Sequence, residues 1–223
     1  MQLLLPDECR ALGTLIEKAM TTPGQYPLSL NGLVVGINQR SNRDPIVDFD
    51  EDRALHAVDG LRAKGLVRDV TFTGSRVEKF RHTAGEALEL RAPELALLTE
   101  LLLRGPQTVG ELRGRASRMQ VFDSLESVEN VLATLSNRDA AKGALVRELP
   151  PLRGSRAPRW MQLLCPTLHP IEDETRSDVA APSAKASAMR PQENLAENDR
   201  ITALETRVAQ LEIALKELKS ALG

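Results

Sequence analysis

The feature of this sequence that most constrains its fold is a weak internal repeat. The tripeptide Gly74-Ser75-Arg76 recurs as Gly154-Ser155-Arg156, and each copy lies between two runs with β-strand character. Glycine and polar residues between such runs are typical of a hairpin turn. Three segments with helical periodicity precede each hairpin. The chain therefore presents the same succession of three helices and one hairpin twice, in residues 1–85 and in residues 86–165.

Capping residues mark where the predicted helices begin. Ser29 and Thr108 stand at equivalent places before the second helix of each copy, where an N-cap is expected. The third helix of the second copy is predicted to begin at Asp123 or Ser124 and to bury Leu125. Three helices followed by a two-stranded hairpin are typical of a winged-helix domain. The predicted fold class is mainly α with small β-hairpins (α+β), with tandem winged-helix domains and a C-terminal coiled-coil helix.

The last part of the chain changes character twice. Residues 166–196 are rich in proline and alanine and poor in large apolar side chains, which predicts a flexible linker. In residues 197–223, apolar residues follow a heptad spacing, and β-branched residues at a with leucine at d favour a parallel dimer. The predicted dimer contacts are Ile201, Leu204, Val208, Leu211, Leu215, Leu218 and Leu222. The alternative is an amphipathic helix that folds back on its own domains.

Composition limits the cellular setting and the membrane behaviour of the chain. No run of about 18 apolar residues is present, and the first residues do not form a signal peptide. The two cysteines make no disulfide framework, so the expected compartment is the reducing cytoplasm. The formal net charge is -2, and basic and acidic side chains are nearly balanced in both repeats. A dedicated nucleic-acid domain is usually more basic, although a local basic stripe remains compatible with this balance.

Residues suited to enzyme chemistry are few and scattered. His56, His82 and His169 do not stand at metal-ligand spacing from one another or from a cysteine. Cys9 lies on the apolar face of the first helix and is predicted to be a core residue, and Cys165 has no activating partner nearby in the sequence. No phosphate-binding loop or nucleophile elbow is present. We therefore expect no enzyme, no cofactor and no metal.

The basic residues cluster on the predicted hairpin turns and on the loop between the second and third helices. Arginine forks suit phosphate and guanine, whereas the third helices carry acidic residues that would repel phosphates. Arg113, Arg115 and Arg118 lie on or near the second helix of the second copy. The candidate nucleic-acid-binding residues are Arg40, Arg43, Arg76, Lys79, Arg153, Arg156 and Arg159. The alternative is that these side chains are solvated surface, and that Asn38 and Asn42 cap a helix and satisfy a long loop.

Several longer runs resemble the YceH family of bacterial proteins. They are the run from Thr21 to Ser29 with Asn31-Gly32, the pair Asn38-Gln39, the run from Leu102 to Thr108, and the heptad-like C-terminus. The resemblance covers nearly the whole chain. It implies tandem winged-helix domains, and it brings no activity with it.

Together these features predict a non-enzymatic homodimer that associates with double-stranded DNA as a transcription regulator does. Its partners would be a second copy of the chain and duplex DNA, with no membrane contact. The alternative is a scaffold whose winged-helix surfaces dock an unidentified protein partner without DNA. Charge geometry distinguishes the two, because convergence of the arginines on one face favours DNA and a neutral face with an exposed apolar patch favours the scaffold.

Overall fold

The structure is a computed structural model that describes residues 3–72, 74, 77–152 and 154–169 of the 223-residue chain. The predicted coiled coil and the predicted linker from residue 170 onward lie outside these residues. Arg76 and Arg153 lie outside them as well, so the structure describes five of the seven candidate nucleic-acid-binding residues.

The first half contains three helices and a small sheet, in the predicted order. Its elements are α1 (Pro6–Thr21), a 3-10 turn (Pro23–Gln25), β1 (Leu28–Ser29), α2 (Leu30–Ile37), α3 (Glu51–Ala63), β2 (Val67–Val70) and β3 (Lys79–His82). The predicted cap of α2 is confirmed, because the Ser29 hydroxyl accepts a hydrogen bond from the Gly32 amide at 3.2 Å.

The second half repeats this order after a short connecting helix. Its elements are α4 (Ala84–Ala87), α5 (Ala92–Arg104), β4 (Gln107–Thr108), α6 (Val109–Ala116), α7 (Leu125–Ser136), β5 (Val146–Leu149), β6 (Arg159–Gln162) and a 3-10 turn (Pro166–Leu168). Ser124 caps α7 as predicted. The expectation that Leu125 is buried is wrong. It is the first residue of the helix and is 48% exposed, because the buried stripe of α7 runs through Val128, Leu132 and Leu135.

Each half closes its hairpin against a third, two-residue strand. The strand orders are β1-β3-β2 and β4-β6-β5, and all described pairings are antiparallel. The sequence did not indicate β1 and β4, because two residues are too few to show an alternating pattern. The predicted α+β class is confirmed for the described residues.

The two halves share one hydrophobic core. Buried residues from both form a single cluster, and α1 packs directly on α5. Gly13 permits this close approach, because a Cβ added there would lie 2.9 Å from the Leu103 Cδ2 atom. A shared core is expected of small repeats, each of which alone buries little apolar surface. Among the described residues, no helix combines the length and the hydropathy that a bilayer crossing requires.

Candidate nucleic-acid interface

Strand register brings three basic side chains onto one face of the first sheet. Arg68 on β2 lies opposite Arg81 on β3, and Val70 lies opposite Lys79. Residues opposite each other in an antiparallel pair point to the same side, and the side alternates along each strand. Phe80, on the other side, is 2% exposed and belongs to the core. We call the side formed by Arg68, Val70, Lys79 and Arg81 the outer face of the first sheet.

Among the described residues, the arginines of this face have no ion-pair partner. Arg68 and Arg81 are both exposed, and neither forms an ion pair with a described residue. The ammonium group of Lys79 stands 5.5 Å from the centroid of the Phe72 ring. Like charges directly opposite each other destabilise a sheet, and an anion bound at this face would relieve their repulsion. The outer face is therefore a candidate site for phosphate.

The positive charge of the outer face also affects the pKa values of two side chains close to it, His82 and Tyr26. Burial, and after it the charge of Arg81, lowers the pKa of His82 to about 4, so its imidazole is neutral at pH 7. Burial raises the pKa of Tyr26 to about 12, against the opposing influence of Arg81 and Arg68. The Tyr26 hydroxyl accepts a hydrogen bond from the His82 amide at 2.6 Å, which fixes β3 against the turn before β1.

The matching face of the second sheet is different. Arg147 lies opposite Met161, and Leu149 lies opposite Arg159. Leu149 is 6% exposed and Met161 is 1% exposed. The Arg147 Nε atom donates to the Met161 sulfur at 3.3 Å, and Arg159 is half-buried. This face, formed by Arg147, Leu149, Arg159 and Met161, presents no open cluster of cations.

The structure corrects the prediction for Arg43. Its side chain is buried and pairs with Glu17, with 2.5 Å between the Nη2 and Oε2 atoms. It also donates to the carbonyl oxygens of Gly36 and Asn42 at 3.1 and 2.8 Å. Both terminal nitrogens of Arg43 are bonded inside the protein, and the side chain is buried, so Arg43 holds the loop after α2 and does not face a nucleic acid.

Arg43 belongs to a buried ion cluster between the halves, formed by Glu17, Arg43, Glu100 and Arg118. Arg118 bridges the two carboxylates, at 2.5 Å from Glu17 and 3.1 Å from Glu100. Burial opposes the ionisation of Glu17, but the hydrogen bond and charge of Arg43, together with Arg118, hold its pKa below the ordinary value. The cluster joins α1, the loop after α2, α5 and the turn that follows α6.

The other residues singled out in the sequence differ in their exposure and in their hydrogen-bond partners. Arg40 and Arg156 are exposed, and Lys79 and Arg159 are half-buried. Asn38 exchanges two hydrogen bonds of 2.8 Å with the backbone of Phe49, as the loop-satisfying alternative predicts. Arg113 and Arg115 are tied to their own half, because Arg113 donates to the carbonyl oxygens of Phe122 and Asp123 and Arg115 to the Gln107 side chain.

The third helix of each half presents an acidic surface. On α3, Glu51, Asp52 and Asp59 are exposed, while Arg53 is paired with Asp7 and Arg62 with Asp59 and Asp69. Helix α7 contains Glu126 and Glu129 and has no basic residue. Sequence reasoning identified this acidity but overlooked Arg68 as a partner for Arg81. The sequence did contain a signal for this pair. Side chains alternate along a strand, so Arg68 and Val70 lie on one side of β2, and Lys79 and Arg81 lie on the same side of the neighbouring β3.

Two repeats share one core, and within the described part of the chain only the first sheet has a basic face without ion-pair partners. These features define a two-repeat α+β protein with a candidate anion-binding surface. A family model described as "Protein of unknown function, DUF480" matches residues 4–155. A UPF0502 protein of Shewanella woodyi is 40% identical over 223 residues, covering 96% of this chain and 95% of the relative. A UPF0502 protein of Dechloromonas aromatica is 43% identical over 210 residues, covering 94% and 93%. The chain belongs to this DUF480/UPF0502 family, which is the YceH family.

Proposed function

We propose that the protein is a non-enzymatic, cytoplasmic, DNA-associated regulator built from two winged-helix modules. Each half has the order helix, short strand, helix, helix, hairpin, with the last strand of the hairpin in the middle of the sheet. That order and pairing support the winged-helix assignment. In such modules the hairpin contacts phosphates beside the groove that the third helix enters.

The contact with duplex DNA is made by the outer face of the first sheet. The observation that carries this proposal is the pair of opposed, exposed arginines, Arg68 and Arg81, with Lys79 beside them and no carboxylate partner among the described residues. Guanidinium groups bind phosphate oxygens through two parallel hydrogen bonds. Because α3 and α7 are acidic, the protein binds the backbone of the duplex and does not read bases with its third helices.

The protein acts as a homodimer through the heptad seam of residues 201–222, which lies outside the described residues. One basic face binds DNA weakly, and a second copy held on the same duplex makes the second contact intramolecular. Replacing Leu204 and Leu211 by Asp places charges at d positions and should abolish the dimer in light scattering. A monomeric wild-type chain would contradict this part of the proposal.

The experiment is a salt titration of the full chain with random-sequence duplex DNA, followed by fluorescence anisotropy. Affinity should fall steeply with salt, with a log–log slope of about 0.9 for each phosphate contact. Replacing Arg68 and Arg81 by Ala should weaken binding to all sequences and reduce the slope by nearly two. The matched control replaces Arg91 and Lys142, two cations of the second half, and should leave both values unchanged.

A second candidate function is favoured by the acidity of α3. Asp7, Asp50, Asp52 and His56 line a cleft of about 450 Å³ at the start of α1 and α3. Exposed Val35 and Ile46 lie on α2 and on the loop that follows it. A scaffold that docks a basic protein segment would use the acidic cleft for that contact. If the wild-type chain fails to bind duplex DNA at low salt, the scaffold replaces the DNA proposal.

A further inference from the structure

An open cavity of about 440 Å³ lies where the first hairpin ends and the short helix α4 begins. We call it the hairpin cavity. It is distinct from the outer face of the first sheet, although Arg81 belongs to both. Its volume falls within the range of small-molecule sites, which is about 300–1,000 Å³. The residues that line it are Ala19, Tyr26, Pro27, Arg81, His82, Thr83, Gly85 and Glu86.

Two side chains of opposite charge border the hairpin cavity. Arg81 and Glu86 are both exposed. Neither forms an ion pair with the other or with any other described residue. Each can therefore bind a charged group of a ligand without first breaking an ion pair within the protein. A cation and an anion at one cavity suit a ligand that carries both charges.

A third polar group in the cavity is the imidazole of His82. Its Nδ1 atom is buried and has no hydrogen-bond partner among the described residues. The ring is held beside that of Tyr26, with 5.9 Å between the two centroids, and the His82 amide donates to the Tyr26 hydroxyl. Buried polar atoms are normally hydrogen-bonded, so a ligand that reaches this nitrogen would satisfy it. The imidazole is neutral at pH 7, because burial lowers the pKa of His82 to about 4. In one tautomer Nδ1 accepts from an ammonium group, and in the other it donates to a carboxylate.

The hairpin cavity also has an apolar side. Ala19 on α1, Tyr26 and Pro27 are half-buried and line it, and Tyr26 packs against the hydrophobic core. We call these three residues the apolar wall. A ligand that covers the apolar wall with hydrocarbon removes apolar surface from water, which favours binding.

We propose that the hairpin cavity binds an α-amino acid with an apolar side chain. The carboxylate of the ligand pairs with the Arg81 guanidinium, and its ammonium group pairs with the Glu86 carboxylate. One of these two ligand groups also satisfies the His82 Nδ1 atom, and the ligand side chain covers the apolar wall. Hydrogen bonds between charged groups are the strongest of their kind, so both ends of the ligand contribute to affinity. This inference does not depend on the proposed DNA contact.

The test is a titration of the full native chain with L-leucine, followed by proton–nitrogen NMR of the histidine imidazoles. The chain has three histidines, and the variant His82→Gln assigns the His82 signals by their loss. L-leucine should shift the Nδ1 signal of His82 and leave the signals of His56 and His169 in place. Two analogues serve as matched controls, because isocaproate lacks the ammonium group of leucine and isoamylamine lacks its carboxylate. Each should bind at least about tenfold more weakly than L-leucine, since one charged hydrogen-bonding group is lost.

Two variants assign the charged groups of the protein to those of the ligand. Arg81→Gln should weaken the binding of L-leucine and isocaproate and leave that of isoamylamine unchanged. Glu86→Gln should weaken the binding of L-leucine and isoamylamine and leave that of isocaproate unchanged. Both side chains are exposed, so the variants should keep the melting temperature of the wild type. The control variant is Arg91→Gln, which changes an exposed arginine outside the cavity lining and should bind all three compounds as the wild type does.

Three results would overturn the inference. The first is that L-leucine at millimolar concentration leaves the His82 signals unchanged. The second is that isocaproate or isoamylamine binds as tightly as L-leucine, because the site would then not require both charges. The third is that Arg81→Gln and Glu86→Gln bind L-leucine as well as Arg91→Gln does.

Discussion

The two halves of this protein have the same element order and strand pairing, yet the outer faces of their sheets differ in charge and in solvent exposure. On the outer face of the first sheet Arg68 and Arg81 are exposed, and Lys79 is half-buried. On the second sheet the matching face contains Leu149 and Met161, both buried. Phe80 and the partly buried Trp160, which stand at equivalent places in the two hairpins, both pack against the core. The outer face is therefore exposed to solvent in the first hairpin and partly buried in the second, although the strand pairing is the same.

The largest effect is expected from exchanging the residues that distinguish the two faces. Met161→Arg would place an unpaired charge at a buried position beside Arg147 and should lower the free energy of unfolding by more than about 3 kcal/mol. Arg81→Met in the first sheet should change stability by less than about 1 kcal/mol, because it also relieves the repulsion with Arg68. Urea denaturation of both variants measures the difference. Similar losses for the two would show that the faces are not different environments.

The next largest effect concerns the buried ion cluster between the halves. Arg43→Ala leaves the Glu17 carboxylate buried with Arg118 as its remaining partner, and should cost about 3 kcal/mol of unfolding free energy. Arg40→Ala, on the exposed part of the same loop, should stay within about 0.5 kcal/mol. A loss for Arg43→Ala as small as that for Arg40→Ala would contradict the structural role assigned to Arg43.

A smaller effect is expected on the acid side of the stability profile. The pKa of Glu17 is lowered in the folded state, so its contribution is present above the unfolded value of about 4.3 and is lost as the pH falls through the folded value. The free energy of unfolding of the wild type should therefore decline in acid more steeply than that of Glu17→Gln. Denaturation at a series of pH values below 5 checks this, and parallel profiles would contradict it.

Local signals in the sequence predicted much of the fold. Ser29, Thr108 and Ser124 cap their helices as expected, because N-capping depends on residues within one turn. The placement of Leu125 was wrong because it depends on the direction in which α7 packs. The interpretation of Arg43 was wrong for a related reason. Its partner Glu17 lies on another element, and no local pattern shows that contact.

The cysteines show the same limit. The prediction that Cys9 is a core residue is confirmed by its full burial. The expectation for Cys165 concerned only its neighbours in the sequence, whereas the largest influence that lowers the pKa of its thiol comes from Cys9, at the other end of the described chain. The outer face of the first sheet could be found from alternation along two strands. That Arg68 and Arg81 have no ion-pair partner among the described residues could not be found in this way. Whether a carboxylate pairs with these arginines depends on which residues of the other elements pack near the sheet, and the sequence of the hairpin does not show that.

The measurement that tests the central claim most directly is photocrosslinking of the full chain to duplex DNA from three single positions. The probe replaces Val70 on the outer face of the first sheet, Arg147 on the matching face of the second, or Asp59 on α3. The account predicts a DNA crosslink from Val70 and none from the other two. A crosslink from Arg147 or Asp59, without one from Val70, would contradict the claim that the two halves differ in their contact with DNA.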